Sequence, residues 1–214
     1  MKIVGVLTAL LAALNGFASG VVQSSMGSVV QVAFMRSVSC SGVVWDQERV
    51  VTAAHCIPRT LRDALEIRFL EGPTRRVDVE RVEDGLDLAV LKFSSYDQAR
   101  PIRLAFSALV GSKVFVVGHP YGIPWVVVHG ILAGVFPQVR VETPGDDGRT
   151  FGTSRRDLFL TDARTAQGFS GGGWFDEYGR LLAIHVISLR APSGEGLFGA
   201  GVGYTTVREW MERR

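Results

Sequence analysis

Residues 167–173 read Gln-Gly-Phe-Ser-Gly-Gly-Gly and place Ser170 in a turn surrounded by glycines. Far upstream, residues 51–56 read Val-Thr-Ala-Ala-His-Cys, with His55 directly after two alanines. A serine hydroxyl is a weak nucleophile, and it needs a base in contact to take its proton. Histidine is suited to that role because its pKa lies near neutrality. These two segments therefore predict a nucleophile and its general base.

A third segment supplies a carboxylate. Residues 84–91 read Asp-Gly-Leu-Asp-Leu-Ala-Val-Leu, so Asp87 opens an apolar strand. A carboxylate on the far nitrogen of a catalytic histidine fixes its tautomer and stabilises the imidazolium. The order His55, Asp87, Ser170 predicts a nucleophilic triad, although Asp84 is an equally good carboxylate on composition alone.

The glycines before the serine predict an oxyanion hole. Developing charge on a carbonyl oxygen is stabilised by backbone N–H groups that point into one spot. Gly168 can adopt backbone angles closed to other residues, and its N–H can then lie beside that of Ser170. We expect these two N–H groups to bind the oxyanion.

The composition is that of a globular chain and does not indicate nucleic-acid, metal or cofactor binding. The chain has 214 residues, of which 47% are hydrophobic and 21% charged, enough for one domain or two small subdomains. A net charge of +2 is too near neutral to indicate nucleic-acid binding. Four scattered histidines and no phosphate-binding loop predict no metal and no cofactor.

The N-terminus resembles an export signal. A basic Lys2 precedes the apolar stretch Ile3–Leu14, and small residues follow at 15–20. We therefore interpret residues 1–20 as a signal peptide of a secreted or periplasmic protein. A retained membrane anchor is the alternative, since an apolar span of about 20 residues crosses a bilayer. A further hypothesis is that this segment is a buried first strand, or that translation starts at Met26 and not at Met1.

Two cysteines support export. Cys40 and Cys56 flank the segment that leads into His55, and cysteines of exported chains are usually paired. A disulfide closing so short a loop contributes about 3 kcal/mol in the chain-entropy model. The alternative is a pair of free thiols packed as small hydrophobic side chains.

Short runs rich in Val and Ile recur between turn residues and predict many strands. The first set comprises Ser28–Ser37, Gly42–Trp45, Arg49–Thr52, Leu65–Leu70, Arg76–Val82 and Leu86–Phe93. The second set comprises Lys113–Val117, Trp125–Val135, Arg140–Glu142, Leu158–Asp162, Gly172–Phe175, Leu181–Val186 and Gly199–Thr205. This pattern predicts an all-β barrel or sandwich with one helix, Thr205–Arg214, at the C-terminus.

The motifs resemble those of trypsin-like serine peptidases of the chymotrypsin fold, over nearly everything after residue 20. Residues 52–56, with a cysteine 16 positions before Cys56, look like the histidine-loop disulfide of that family. Residues 203–207 are similar to its C-terminal signature. Residues 87–92 and 116–122 look more like the bacterial high-temperature-requirement branch.

The resemblance implies a fold and an activity. The fold is all-β, with two perpendicular six-stranded antiparallel β-barrels, a short C-terminal helix and the triad between the barrels. The peptidase domain would span 21–214, with barrels at about 28–105 and 106–204 and a closing helix at 205–214. The implied activity is that of a serine endopeptidase acting through an acyl-enzyme, and the implied partner is a protein or peptide substrate.

The resemblance also suggests which substrate residue is recognised. Arg164 stands where tryptic enzymes carry the aspartate at the bottom of their pocket, which argues against a preference for Lys or Arg. Thr165 and His185 resemble the Thr and His that hold the P1 carboxylate in bacterial glutamyl endopeptidases. A hydroxyl and an imidazole can both donate to a carboxylate, so we predict an acidic P1 preference.

One residue departs from the family pattern. Phe169 stands before Ser170, where the animal enzymes carry Asp and bacterial relatives commonly carry Asn. An ion pair between that position and a freed N-terminus is therefore excluded, and the ring could disturb the oxyanion turn. This supports a rival hypothesis, a catalytically silent relative that binds peptides in the same cleft. An esterase would share the chemistry, but the sequence around Ser170 lacks the strand–elbow–helix pattern that carries the serine in many other hydrolases.

Overall fold

The computed structural model describes residues 20–213 except 36, 61, 146, 191, 192, 194 and 195. The signal-peptide or anchor interpretation therefore lies outside the described residues, apart from residue 20. From residue 20 to 27 the chain is helical (α1), so the expectation that the tail holds the one helix was wrong. In the described part, no helix is both long and apolar enough to cross a membrane.

The first half forms a curled sheet. Its strands are β1 (Val29–Phe34), β2 (Ser37–Val44), β3 (Arg49–Thr52), β4 (Leu65–Arg68), β5 (Thr74–Arg76), β6 (Asp78–Glu83) and β7 (Leu88–Lys92). They are antiparallel, in the order β5-β4-β1-β2-β3-β7-β6. Only Val77 separates the two edge strands, so one chain segment links both edges of the sheet. The predicted six-stranded barrel is thus a curled sheet in which one strand is divided into β5 and β6.

The second half is a closed barrel in the order β12-β15-β14-β13-β8-β9. Its strands are β8 (Lys113–Gly118), β9 (Val126–Val139), β12 (Arg156–Thr161), β13 (Gly173–Phe175), β14 (Leu181–Arg190) and β15 (Gly196–Gly203). A separate ribbon pairs β10 (Thr143–Pro144) with β11 (Thr150–Phe151). The expected strand Arg140–Glu142 was wrong, because those residues lead into the ribbon instead.

Hydrophobic burial accounts for these strands. Five of the six residues of β1 are buried, as are the four apolar residues that open β7. A strand buried on both faces reads as a continuous apolar run instead of an alternating one. The small 3₁₀ turn at Ala54–Cys56 follows β3 and carries His55 out of the first sheet toward the second barrel.

The C-terminal helix α2 (Tyr204–Glu212) ties the two halves together. Its Val207, Trp210 and Met211 are buried in the core of the first sheet. Arg81 of β6 lies over the Trp210 ring at 4.1 Å and donates to the Trp210 carbonyl at 2.9 Å. The helix that ends the second half thereby packs against the first.

Two buried histidines make the stability of this fold depend on pH. His119 and His185 are 0% and 1% exposed, and burial lowers the pKa of each to about 3 from the ordinary 6.5. Both rings are therefore neutral in the folded chain, and unfolding lets them take up protons below pH 6.5. Their stabilisation is complete above that value and is lost as the pH falls toward 3.

We expect the free energy of unfolding to fall by about 1.4 kcal/mol per pH unit for each of these histidines in that window. Urea denaturation at a series of pH values measures this slope. His185→Gln should flatten it, whereas the exposed His129 gives a matched control, His129→Gln, that should leave it unchanged. A slope equal to wild type in His185→Gln would contradict the assignment.

Candidate active site

His55 and Asp87 are joined by hydrogen bonds. His55 Nδ1 lies 3.0 Å from Asp87 Oδ2 and 3.1 Å from Oδ1, and the His55 backbone N–H also donates to Oδ1 at 3.1 Å. The Asp87 side chain is 2% exposed and that of His55 is 29% exposed. Because the Asp87 carboxylate accepts a hydrogen bond from His55 Nδ1, that nitrogen carries the proton and Nε2 is left as the basic atom.

The competing carboxylate has another partner. Asp84 Oδ1 lies 3.5 Å from Arg149 Nη1, across the turn from Asp87. The backbone of Asp87 has a φ of +59°, a left-handed conformation that is rare outside glycine and Asn or Asp. The turn at residues 84–87 thus directs Asp87 inward to the histidine and Asp84 outward to Arg149.

Two arginines that the sequence analysis did not select hold this turn. Arg156 is 1% exposed and donates to the carbonyls of Val141 at 3.0 Å and Gly85 at 3.4 Å. Burial lowers the Arg156 pKa, and the charge of Asp87 opposes that shift. Arg149 donates to the Ile57 carbonyl at 2.7 Å. Both arginines therefore connect the second half to the residues around the histidine and the aspartate.

An aromatic ring covers the histidine on one side. Phe151 of β11 meets the His55 ring edge-on, with the ring centroids 5.8 Å apart. Arg149 stacks on the Phe151 ring, with its guanidinium carbon 4.8 Å from the ring centroid. The ribbon β10–β11 thereby forms a wall of the cleft beside His55.

Ser170 lies in the turn between β12 and β13, next to the histidine turn. Its carbonyl oxygen is 3.9 Å from Cys56 Sγ and accepts from the Ser41 N–H at 2.8 Å. Among the hydrogen bonds of the described residues, none joins the Ser170 hydroxyl to His55. Catalytic hydrogen bonds are often long in ligand-free sites and shorten when substrate binds. The geometry brings the serine turn beside His55 without closing this contact.

The backbone around Ser170 leaves two N–H groups free. Within the described residues, neither the Gly168 N–H nor the Ser170 N–H donates a hydrogen bond. The Gln167 carbonyl accepts from the Tyr121 N–H at 2.9 Å, and the Phe169 carbonyl from the Gly172 N–H at 2.8 Å. A trans peptide places its N–H opposite its carbonyl, so both free N–H groups point away from these contacts. They are suited to donate hydrogen bonds to a developing oxyanion.

Phe169 packs inward and does not obstruct this turn. Its side chain is 2% exposed and meets the His185 ring edge-on, with the centroids 6.2 Å apart. A Cβ at Gly118 would lie 2.6 Å from Phe169 Cδ1, so the missing side chain makes room for the ring. The Phe169 N–H donates to the Ala166 carbonyl at 3.1 Å. The phenyl ring therefore anchors the turn in the core of the second barrel.

A cavity of about 260 Å³ lies beside the serine turn. Arg164, Thr165 and Ser188 are among the residues that line it. Thr165 Oγ1 lies 2.9 Å from Ser188 Oγ, which lies 3.2 Å from His185 Nε2. His185 thus reaches the cavity through Ser188, a residue that the sequence analysis missed because nothing local distinguishes it. A wider cleft that contains His55 and Phe151 also has Ser188 in its lining.

Cys40 and Cys56 form a disulfide, with their Cα atoms 6.1 Å apart. The two sulfurs and a His55 ring nitrogen lie within 4.8 Å of one another. Sulfurs bonded to each other are not thiolate ligands, so this cluster does not fit a metal ion. The disulfide instead fixes the turn that carries His55 to β2.

The sequence and the fold both match known peptidases. The family model of the trypsin-like peptidase domain matches residues 40–184. Protease Do-like 1 of the Arabidopsis thaliana chloroplast is 31% identical over 173 residues, which are 78% of this chain and 36% of that protein. A probable periplasmic DegP-like serine endoprotease of Buchnera aphidicola is 24% identical over 169 residues, 77% of this chain and 33% of that protein. The chain thus spans about a third of the length of these two relatives.

Solved structures share the fold. The HtrA-type protease AlgW, determined with a decapeptide, superposes with a TM-score of 0.76 at 19% identity over 91% of this chain and 66% of its own. This likeness agrees with the closed barrel, the curled sheet and the C-terminal helix described above. From the family match over residues 40–184, the chain belongs to the trypsin-like peptidases, and its relatives include Do-like and DegP-like proteases.

Proposed function

We propose that this chain is a serine endopeptidase that uses Ser170, His55 and Asp87. The observation that carries the proposal is the buried Asp87 carboxylate, which holds His55 Nδ1 at 3.0 Å beside the serine turn. Its membership of the trypsin-like peptidases agrees with this chemistry. A substrate of protein or peptide nature is supported by the peptide-bound state of the similar AlgW structure.

In the proposed mechanism, Ser170 Oγ attacks the scissile carbonyl carbon while His55 Nε2 takes the hydroxyl proton. The negative charge moves to the carbonyl oxygen, where the free N–H groups of Gly168 and Ser170 stabilise it. His55 then returns the proton to the departing amine, which leaves an acyl ester on Ser170. A water molecule releases the acyl group by the same steps in reverse order.

Phe169 was the sequence argument for a silent peptide-binding relative. Its ring is buried against His185 and Gly118, and the Gly168 and Ser170 N–H groups donate to no other group of the described residues. The packing therefore favours the peptidase over the silent relative.

The triad is tested by comparing two carboxylates of one turn. Asp87→Asn should lower kcat/KM by about 10⁴ because it removes the partner that fixes the His55 tautomer. Asp84→Asn is the matched control, since Asp84 pairs with Arg149 instead, and it should stay within about threefold of wild type. Steady-state hydrolysis of a fluorogenic peptide measures both. Equal losses in the two variants would contradict the assignment.

We further propose that the enzyme prefers an acidic residue at P1. Thr165, Ser188 and His185 form a continuous hydrogen-bonded row that ends in the cavity next to the serine turn. Hydroxyl and imidazole groups can donate to a carboxylate, and Arg164 adds positive charge to the cavity wall. Gly199 leaves space beside this row, because a Cβ there would lie 3.1 Å from Thr165 Oγ1.

A panel of peptides that differ only at P1 tests this preference. We expect Glu to be cleaved at least about tenfold faster than Gln, because Gln lacks the charge that the donors bind. Ser188→Ala should reduce the kcat/KM for Glu about tenfold and leave that for Leu within about threefold. Faster cleavage after Leu or Phe than after Glu in wild type would exclude the acidic preference.

We also propose that the protein acts outside the cytoplasm, in the periplasm or as a secreted enzyme. The Cys40–Cys56 disulfide supports this, since such bonds persist in oxidising compartments. The name of the Buchnera relative places that protein in the periplasm.

A further inference from the structure

We propose that Ser41 and His119 form a buried hydrogen-bond hub that positions the oxyanion hole, an inference that rests on the proposed peptidase function. Ser41 lies on β2 of the first sheet, and His119 directly follows β8 of the second barrel. Both are 0% exposed. They reach the serine turn through the Gly168 carbonyl and are buried from solvent, so they are positioning residues.

Three hydrogen bonds converge on the Ser41 hydroxyl. Ser41 Oγ lies 2.8 Å from the Gly168 carbonyl oxygen, 3.0 Å from His119 Nδ1 and 3.0 Å from the His119 backbone nitrogen. A hydroxyl has one proton to donate and two lone pairs that accept. Three contacts therefore saturate it.

The chemistry of the partners assigns each proton. The Gly168 carbonyl can only accept and the His119 backbone N–H can only donate, so the Ser41 proton goes to Gly168. The remaining lone pair of Ser41 then accepts from His119 Nδ1, which carries the ring proton. His119 Nε2 is the bare nitrogen, and no hydrogen bond reaches it in the described structure. The ring is neutral, since burial lowers its pKa to about 3.

The hub acts on the residue whose N–H is needed. Gly168 has a φ of +99°, and a Cβ there would lie 2.4 Å from the His119 carbonyl oxygen. Two successive carbonyls of the turn accept hydrogen bonds. That of Gln167 accepts from the Tyr121 N–H, and that of Gly168 accepts from the Ser41 hydroxyl. With both carbonyls fixed, the Gly168 N–H between them has one direction left, into the site.

The Ser41 hydroxyl gives the serine turn a directed hydrogen bond, which the Phe169 ring cannot supply. The buried Phe169 ring fills space but has no polar atom to set a direction. Ser41 supplies direction, because its side chain holds Gly168 while its backbone N–H binds the Ser170 carbonyl at 2.8 Å.

Ser41→Ala tests the hub directly. It leaves the Gly168 carbonyl and His119 Nδ1 without their partner, so Gly168 is held only through the peptide of the Gln167 carbonyl and its N–H is less firmly positioned. We expect kcat to fall roughly 10- to 100-fold with KM within about twofold, because misplacing a catalytic group by about 1 Å costs on that order. A peptide aldehyde, which forms an oxyanion on Ser170, should bind more weakly by the same factor. A wild-type kcat, or a loss that lies in KM, would overturn the proposal.

Matched variants separate positioning from general destabilisation. Ser25→Ala removes another buried hydroxyl, which donates to the Val21 carbonyl at 3.0 Å, and should leave kcat unchanged. His119→Asn places an amide N–H about where Nδ1 stands and should stay within about threefold of wild type. His119→Leu offers no donor and should match Ser41→Ala. Equal activity of the two His119 variants would overturn the hub, even if Ser41→Ala does not fold.

A measurement without substrate distinguishes this inference from the proposed function. Nitrogen-15 NMR of the histidine rings in the wild-type protein reports which nitrogen of His119 carries the proton. Protonated Nδ1 with bare Nε2 at neutral pH supports the hub, whether or not peptides are cleaved. Protonated Nε2 would overturn it. Failure of every peptide substrate with protonated Nδ1 would count against the peptidase function alone.

Discussion

The serine turn is wedged between the two halves of the molecule, and the geometry of the site depends on that fit. A Cβ at Gly171 would lie 2.1 Å from the Ser41 carbonyl oxygen, and one at Gly172 would lie 2.4 Å from that of Val117. One contact belongs to the first sheet and the other to the second barrel, so the turn can form only where both halves meet. Side chains at these positions would push the halves apart.

The histidine and the aspartate come from the first sheet, but the second half holds them in place. Arg156 reaches the Gly85 carbonyl from β12, and Arg149 reaches the Ile57 carbonyl from beside β11. The disulfide ties the histidine turn to β2, whose Ser41 binds the serine turn. The proposed triad is therefore assembled by contacts that cross the interface, which explains why its members are far apart in sequence.

Local patterns were enough to predict the catalytic candidates, the disulfide and most strands. His55, Asp87 and Ser170 stand in motifs whose glycines and apolar neighbours are visible along the chain. Arg156, Ser41 and Ser188 carry no such signal, because their roles arise from partners 71, 127 and 23 residues away. The ribbon β10–β11 was missed for a similar reason, since two-residue strands have no periodicity to detect.

Mass spectrometry after treatment with an active-site serine phosphonate tests the central claim most directly, namely that Ser170 is an activated nucleophile. The account predicts a single covalent adduct on Ser170 in the folded wild-type protein and none in Ser170→Ala. Among the described residues, no other serine stands beside a histidine base held by a buried carboxylate, so these serines should remain unmodified. A folded wild-type protein without an adduct, or an adduct that persists in Ser170→Ala, would contradict the account.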